Sequence, residues 1–423
     1  MSGITGSSEI SAPSAGGAGG AIATRLSVMM FLEFLIWGGW YVTVGNYMGK
    51  HGMTDQIGTV YSLCPIAAII SPFFLGMIAD RYFATQKVLG LLSLVGGVIL
   101  VSVPSLTANN TGLFVPLLFA YALCFMPTLG LTSSLTFHNV TDQEKQFPVI
   151  RVFGTIGWIA ANWIVSKALH GDETPVQFYV AGGASILLGL YSFSLPNTPP
   201  PSAGKKATFR DIAGLDSLEM LKKPSFFVFI LCSLLICIPL AFYYAYAAVF
   251  VKAANVPDPA FHMSFGQIGE IFFMLLMPML FARLGVKYML IAGMFAWVAR
   301  YGLFTVASNN HSMALVMGGI LLHGICYDFF FVTGQIYVDK RASHKIRGQV
   351  QGFFVLVTQG VGMLIGAQAA QKIANSVTVG KEVNWHSLWI IPTGMALVIG
   401  IIFLLAFKDD SNEPPVEIAA DAA

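Results

Sequence analysis

Five ionisable side chains stand alone in long apolar runs: Glu33, Arg151, Glu270, Arg300 and Asp328. In hydrocarbon such a group costs about 2.5–3.5 kcal/mol on insertion scales, so each marks a functional candidate. Arg151, Thr155 and Trp158 fall at i, i+4 and i+7 on one helical stripe, offering a fixed cation, a hydroxyl and an aromatic plane. A flat ring carrying hydroxyls can stack on that plane while its edges are hydrogen-bonded. Gln267 and Glu270, three residues apart, present an amide and an acid from one face of another helix. Glu33, Trp37, Trp40 and Tyr41 make a further acidic and aromatic face that reads as a cavity wall. Phe242, Tyr243, Tyr244 and Tyr246 follow one another in a later run, and His323 precedes Tyr327 by one turn.

Two kinds of work suit these residues. Arg151, Thr155, Trp158, Gln267, Glu270, His323, Tyr327, Trp37 and Phe242 are the residues expected to bind a polar solute. A carboxylate in a dry site holds its proton more tightly, and a cation moving away tightens that hold further. Glu270 and Asp328, with Glu33 after them, are therefore expected to couple transport to protons. Arg300 is expected in a buried ion pair that stabilises the second half of the chain, with Asp328 as partner left open. Plainer roles compete: an interfacial tryptophan with a snorkelling arginine at 151–158, or interhelical polar contacts at Gln267 and Glu270.

The elements that must position these side chains follow from composition. The chain has 423 residues, 56% hydrophobic and only 10% charged, against roughly 25% charged in soluble domains. A soluble enzyme is excluded, and a net charge of +2 gives no basis for nucleic-acid binding. Apolar runs of spanning length cover 25–48, 56–79, 87–107, 112–138, 147–169, 176–195, 225–251, 264–283, 287–307, 312–338, 348–374 and 385–407. The longest polar gap, 196–224, divides them six and six. Lysine and arginine concentrate in alternate loops; Lys50, Lys252 and Lys381 are the exceptions, which puts both termini in the cytoplasm. Gly76–Arg81 with Lys87 echoes Phe281–Lys287, and Ile150-Arg151 echoes Ile346-Arg347, at offsets of about 200 residues.

The expected architecture is thus an all-α membrane protein of twelve transmembrane helices in two parallel six-helix halves, the major facilitator arrangement. Its parts are a disordered tail (1–24), a first bundle (25–195), a cytoplasmic linker (196–224), a second bundle (225–407) and an acidic tail (408–423), expected to be disordered like the first. No GxxxxGK[ST], HExxH or metal-spaced cluster is present, so neither catalysis, nor a cofactor, nor a metal is expected. The five cysteines lie in apolar runs as packing residues. A monomer in the inner membrane, with a small-molecule solute and protons as its partners, completes the expectation.

Ala120-Tyr121, Phe125–Leu131 and Phe147–Trp158 resemble the fourth and fifth spans of the bacterial nucleoside:proton symporters, a family of the major facilitator superfamily. Leu35–Trp40, Gly76–Asp80, Gln267–Glu270, Ala296–Arg300 and Tyr327–Phe330 extend the similarity along the chain. The resemblance implies nucleoside uptake with a proton by alternating access, with Arg151, Thr155, Trp158, Gln267, Glu270, Tyr327 and Asp328 at the site. It also exposes departures. Pro239–Phe242 carries no amide where the family has two, His323 replaces a usual tyrosine and Glu33 a usual glutamine. A carrier for a sugar or another small hydroxylated metabolite is the alternative these departures leave open.

Overall fold

The computed structural model describes residues 15–74, 82–200, 215–310, 312–343, 346–380 and 382–416. The Gly76–Arg81 half of the internal repeat, the first fourteen residues and residues 201–214 of the linker lie outside them. Helices are the only economical way to carry apolar chain through lipid, because every backbone N–H and C=O is then satisfied within the segment. The first half of the chain forms α1 (Ala15–Tyr41), α2 (Val44–Lys50), α3 (Ile57–Phe74), α4 (Thr85–Thr107), α5 (Phe114–Asn139), α6 (Gln143–Asn162) and α7 (Val176–Ser192). The second forms α8 (Pro224–Ala253), α9 (Pro259–Asn310), α10 (Met313–Leu321), α11 (His323–Tyr327), α12 (Thr333–Arg341), α13 (Arg347–Val355), α14 (Met363–Ser376) and α15 (Trp385–Ala406). Two-residue strands at Thr378–Val379 and Glu382–Val383 pair as a small antiparallel ribbon.

Local chemistry sets the helix ends. Asp142 opens α6 by accepting a hydrogen bond from the Lys145 amide at 3.1 Å, and Asn384 opens α15 in the same way from Ser387 at 3.0 Å. Pro224 starts α8, where its missing N–H costs nothing. The 52-residue α9 is two helices joined at Gly285, whose φ of 66° breaks the ladder. Three stretches take π-helical pairing, Trp163–Ala168, Asp328–Val332 and Leu356–Gly362, so α10 to α12 and α13 to α14 form two continuous rods. Among the described residues, nine helices are long and apolar enough to cross a membrane.

Helices before residue 200 pack mainly on one another, α1 against α6 and α7 and α4 against α5 and α7; those after 215 do likewise, α9 against α15 and α8 against α14. Hydrogen bonds and ion pairs between the two groups gather toward one end. There Trp163 Nε1 donates to Ser264 Oγ at 2.9 Å, the Gly58 amide to Gln371 Oε1 at 2.6 Å, and Gln368 Nε2 to Ser62 Oγ at 2.8 Å. At the opposite end the acidic tail is docked, contrary to the expectation of disorder over 408–423. Arg341, 2% exposed, holds the Asp410 carboxylate at 3.2 Å and the Glu413 and Pro414 carbonyls at 3.1 and 2.8 Å. A buried guanidinium needs acceptors, and the tail's acids and carbonyls supply them; residues 417–423 lie outside the described set.

Close approach decides which side chains α1 and α6 can share. A Cβ on Gly157 would fall 2.1 Å from the Phe31 carbonyl oxygen, so nothing larger than hydrogen fits there. Gly157→Ala is expected to lower the melting temperature of the detergent-purified protein, equivalent to about 1–3 kcal/mol of overpacking. Gly302, with nothing within 4 Å of its added Cβ, provides the control: its alanine variant should melt with the wild type.

Candidate functional site

Between the two groups of helices lies a cavity with about 640 Å³ of atom-free space. Its first-half wall comes from α1 (Phe34, Trp37, Tyr41) and α6 (Arg151, Thr155, Trp158). Its second-half wall comes from α8 (Tyr244), α9 (Gln267, Glu270), α11 (His323, Tyr327), the Leu356–Gly362 turn (Gln359) and α14 (Met363). Eight of the residues expected to bind solute therefore share one cavity: Trp37, Arg151, Thr155, Trp158, Gln267, Glu270, His323 and Tyr327.

One side of this cavity is aromatic. Trp37 and Trp158 meet edge to face at 5.6 Å between ring centroids, Trp37 and Tyr41 at 5.7 Å, and Tyr41 reaches Tyr244 across the two halves at 5.7 Å. Arg151 caps the box, its guanidinium 4.0 Å from the centre of the Phe34 ring. The other side is polar. A Cβ on Gly324 would lie 2.6 Å from the Glu270 amide nitrogen, and this contact between α9 and α11 sets Glu270 Oε2 3.8 Å from His323 Nε2. His323 stacks between Tyr243 and Tyr327 at 5.6 and 5.9 Å.

Four buried polar atoms of the lining have no hydrogen-bond partner among the described residues: Trp37 Nε1, Trp158 Nε1, His323 Nδ1 and Gln267 Oε1. Buried polar groups are hydrogen-bonded in the great majority of cases, so four orphans facing one cavity fit a ligand with both donors and acceptors. Placed so, Arg151, Glu270, Gln267 and Thr155 can grip a polar solute edge-on while the indoles hold its flat face.

Other expected residues stand elsewhere. Phe242 is fully buried and is not part of the lining; its neighbour Tyr244, two positions on, turns into the cavity instead. Trp40, 1% exposed, donates to Tyr121 Oη at 3.3 Å behind the wall. Glu33 is fully buried against α5, where the Thr128 hydroxyl donates to Oε1 at 2.5 Å and Oε2 has no partner among the described residues. Asp328 is fully buried at the start of a π-helical turn, with both carboxyl oxygens unpartnered among the described residues. Among the described residues no carboxylate pairs with Arg300; its guanidinium lies 3.4 Å from the centre of the Tyr243 ring instead. A ring face attracts a cation without requiring a second charge to be desolvated. Sequence reading missed Phe34, Gln359 and Met363; an uncharged amide within an apolar run was the signal that could have found Gln359.

At the end where the halves meet, ion pairs cross between them. Asp258 receives Lys167 at 2.8 Å and His170 at 3.2 Å, and Glu173 pairs with Lys252. Lys167 is thus a bridging residue. The lysine and histidine hold the Asp258 carboxyl below its usual range. Asp172 beside them is pushed up to about 6, chiefly by burial, against a hydrogen bond from Ser166 at 2.7 Å.

A cavity rich in unpartnered polar atoms, enclosed between two groups of apolar helices, defines a membrane carrier. A family model described as Nucleoside H+ symporter matches residues 21–412. Over 408 residues the chain is 39% identical to YegT of Escherichia coli (strain K12), covering 92% of this chain and 94% of that one. Over 417 residues it is 33% identical to the xanthosine permease of the same strain, covering 94% and 98%. The crystal structure of the nucleoside transporter NupG matches with a TM-score of 0.81 at 27% identity, over 92% of this chain and all of that one. The chain belongs to the nucleoside H+ symporter family. It is a multi-pass membrane transporter, not an enzyme.

Asp172 yields a signed prediction. Its folded-state value lies above the ordinary carboxylate range, so its contribution to stability is present at low pH and is lost as pH rises through about 6. Asp172→Asn, which stays neutral, should remove that part of the slope of melting temperature against pH between about pH 4 and about pH 6. Parallel wild-type and variant curves would refute the assignment.

Proposed function

We propose that this chain imports nucleosides with protons across the inner membrane, by alternating exposure of the central cavity. The observation that carries the reading is the cavity lining: an aromatic box facing a set of unpartnered donors and acceptors. A nucleoside presents a flat heteroaromatic base and a hydroxylated sugar, which need those two surfaces together. Trp37 and Trp158 flank the base; Arg151, Thr155, Gln267, Glu270, His323 and Tyr327 supply hydrogen bonds. Phe242 acts from behind, by packing α8 so that Tyr244 faces the solute.

The proposed topology has twelve spans in two six-helix bundles, 25–195 and 225–407, joined by the 196–224 linker. The two segments of α9 count separately in it, and α3 and α7 complete the first bundle. Lysine and arginine bias places both termini in the cytoplasm, so the Asp258 end faces outward and the closed contacts there leave the cavity to open inward. The carrier works as a monomer in the lipid bilayer, because one chain supplies both walls of the site.

Coupling rests on carboxylates whose surroundings change when the bundles rock. Glu270 stands on one wall and Arg151 on the other, so the distance between a fixed cation and a carboxylate depends on the state of the carrier. Asp328 and Glu33, each in its own half and without an ion-pair partner among the described residues, are the further protonation sites. Glu270→Gln is expected to abolish concentrative uptake of radiolabelled uridine and adenosine in cells lacking their own nucleoside carriers, while exchange down a gradient persists. Wild-type accumulation should collapse with a protonophore. Undiminished accumulation by the glutamine variant would remove Glu270 from coupling, and absence of wild-type uptake would remove nucleosides.

A further inference from the structure

Of the five glutamines on the rod formed by α13, its π-helical turn and α14, the last three are used differently from one another. Gln371 is spent on the contact between halves, accepting from the Gly58 amide at 2.6 Å and donating to the Thr54 carbonyl at 3.2 Å. Gln368 is spent likewise, on Ser62 at 2.8 Å. Gln359 lines the cavity, half-buried, and makes no hydrogen bond to any described residue. Its orientation is built in. It sits within the π-helical turn Leu356–Gly362, which carries an extra residue relative to an α turn and so re-aims the side chains around it. The turn packs closely on α8, where a Cβ on Gly362 would lie 2.9 Å from the Leu234 carbonyl oxygen. An unspent amide held on a closely packed turn at the wall of a polar cavity is positioned for recognition.

We propose that Gln359 is a specificity-determining residue that reads the edge of the nucleobase. An amide offers one acceptor and two donors side by side, the pattern that pairs bidentately with the donor–acceptor edge of a base. Arg151, only a donor, and Glu270, when ionised only an acceptor, cannot do this alone. A glutamine can present either group to either atom by flipping, so it accepts the carbonyl and N–H of uracil as well as the amino group and ring nitrogen of adenine. This assignment rests on the nucleoside reading of the cavity.

The test is initial-rate uptake of uridine and adenosine by Gln359→Met, which keeps the side chain's length, and by Gln359→Glu, which keeps its acceptor and removes its donors. Membrane abundance of each variant is measured by immunoblot. Gln359→Met is expected to raise KM for both nucleosides about tenfold with maximal rate within about twofold of wild type. Gln359→Glu is expected to shift the ratio of the adenosine and uridine KM values at least about threefold in favour of adenosine, because the ring N–H of uracil lies between two carbonyl oxygens that repel a carboxylate, whereas the amino group of adenine stands out from its ring. A merely structural glutamine would not alter that ratio. Unchanged KM values in both variants, or a fall in maximal rate with KM unchanged, would overturn the proposal. Wild type that takes up neither nucleoside would overturn the substrate reading itself, and the proposal with it; failure confined to the variants overturns the proposal alone.

Discussion

A charged or hydrogen-bonding side chain inside an apolar helical bundle must find something to solvate it, and this requirement organises the molecule. Lipid offers no partner, so the group must be met by protein, by water or by cargo. Arg300 is met by protein, through the face of Tyr243. Arg151, Glu270, Gln267, His323 and the two indoles are gathered instead around one cavity. Solvation of these groups is incomplete there, with Trp37 Nε1, Trp158 Nε1, His323 Nδ1 and Gln267 Oε1 still unpartnered among the described residues. A carrier needs such a deficit: a site already saturated by its own side chains has nothing to gain by binding.

The same reasoning connects the cavity to motion. Its aromatic box belongs mainly to the first half of the chain and its polar wall to the second, so neither half holds a solute alone. The halves are joined at one end by contacts of modest individual strength: Lys167 and His170 on Asp258, Lys252 on Glu173, and the glutamines 368 and 371 on α3. Exposed or partly exposed ion pairs of this sort are worth roughly 0–1 kcal/mol each. Contacts that hold one arrangement firmly and can still be exchanged suit a protein that must alternate between two. Glycine plays the complementary part within each half, where Gly157 against Phe31 and Gly324 against Glu270 let helices touch and move as one body.

Much of the architecture was legible in the chain itself. Apolar length, the polar gap at 196–224 and the stripe Arg151–Thr155–Trp158 depend only on spacing along one helix, and helical spacing is rigid. Gln267 with Glu270, and His323 with Tyr327, were readable for the same reason. The misreadings share a different cause. Arg300 and Asp328 are both buried mid-helix, yet adjacency along the chain did not bring them together, because the rotation of α9 points the guanidinium at Tyr243. Phe242 and Tyr244 differ by two positions, and only the packing of α8 decides which of them faces inward. The acidic tail looked unstructured because its partner, Arg341, lies about 70 residues earlier.

The sequence by itself determined that this is a chain of apolar helices with a handful of stranded polar groups, because hydrophobicity and helical period are local properties. Family membership was readable for the same reason, being carried by short motifs. Only the tertiary structure decided which polar groups meet: that Glu270 stands beside His323, that Gln359 faces the cavity while Gln368 and Gln371 join the halves, and that Asp258 bridges them. Those outcomes depend on helix rotation, on π-helical turns that shift register and on glycine contacts between distant segments. None of these is set by composition, because each is a property of two surfaces fitted together.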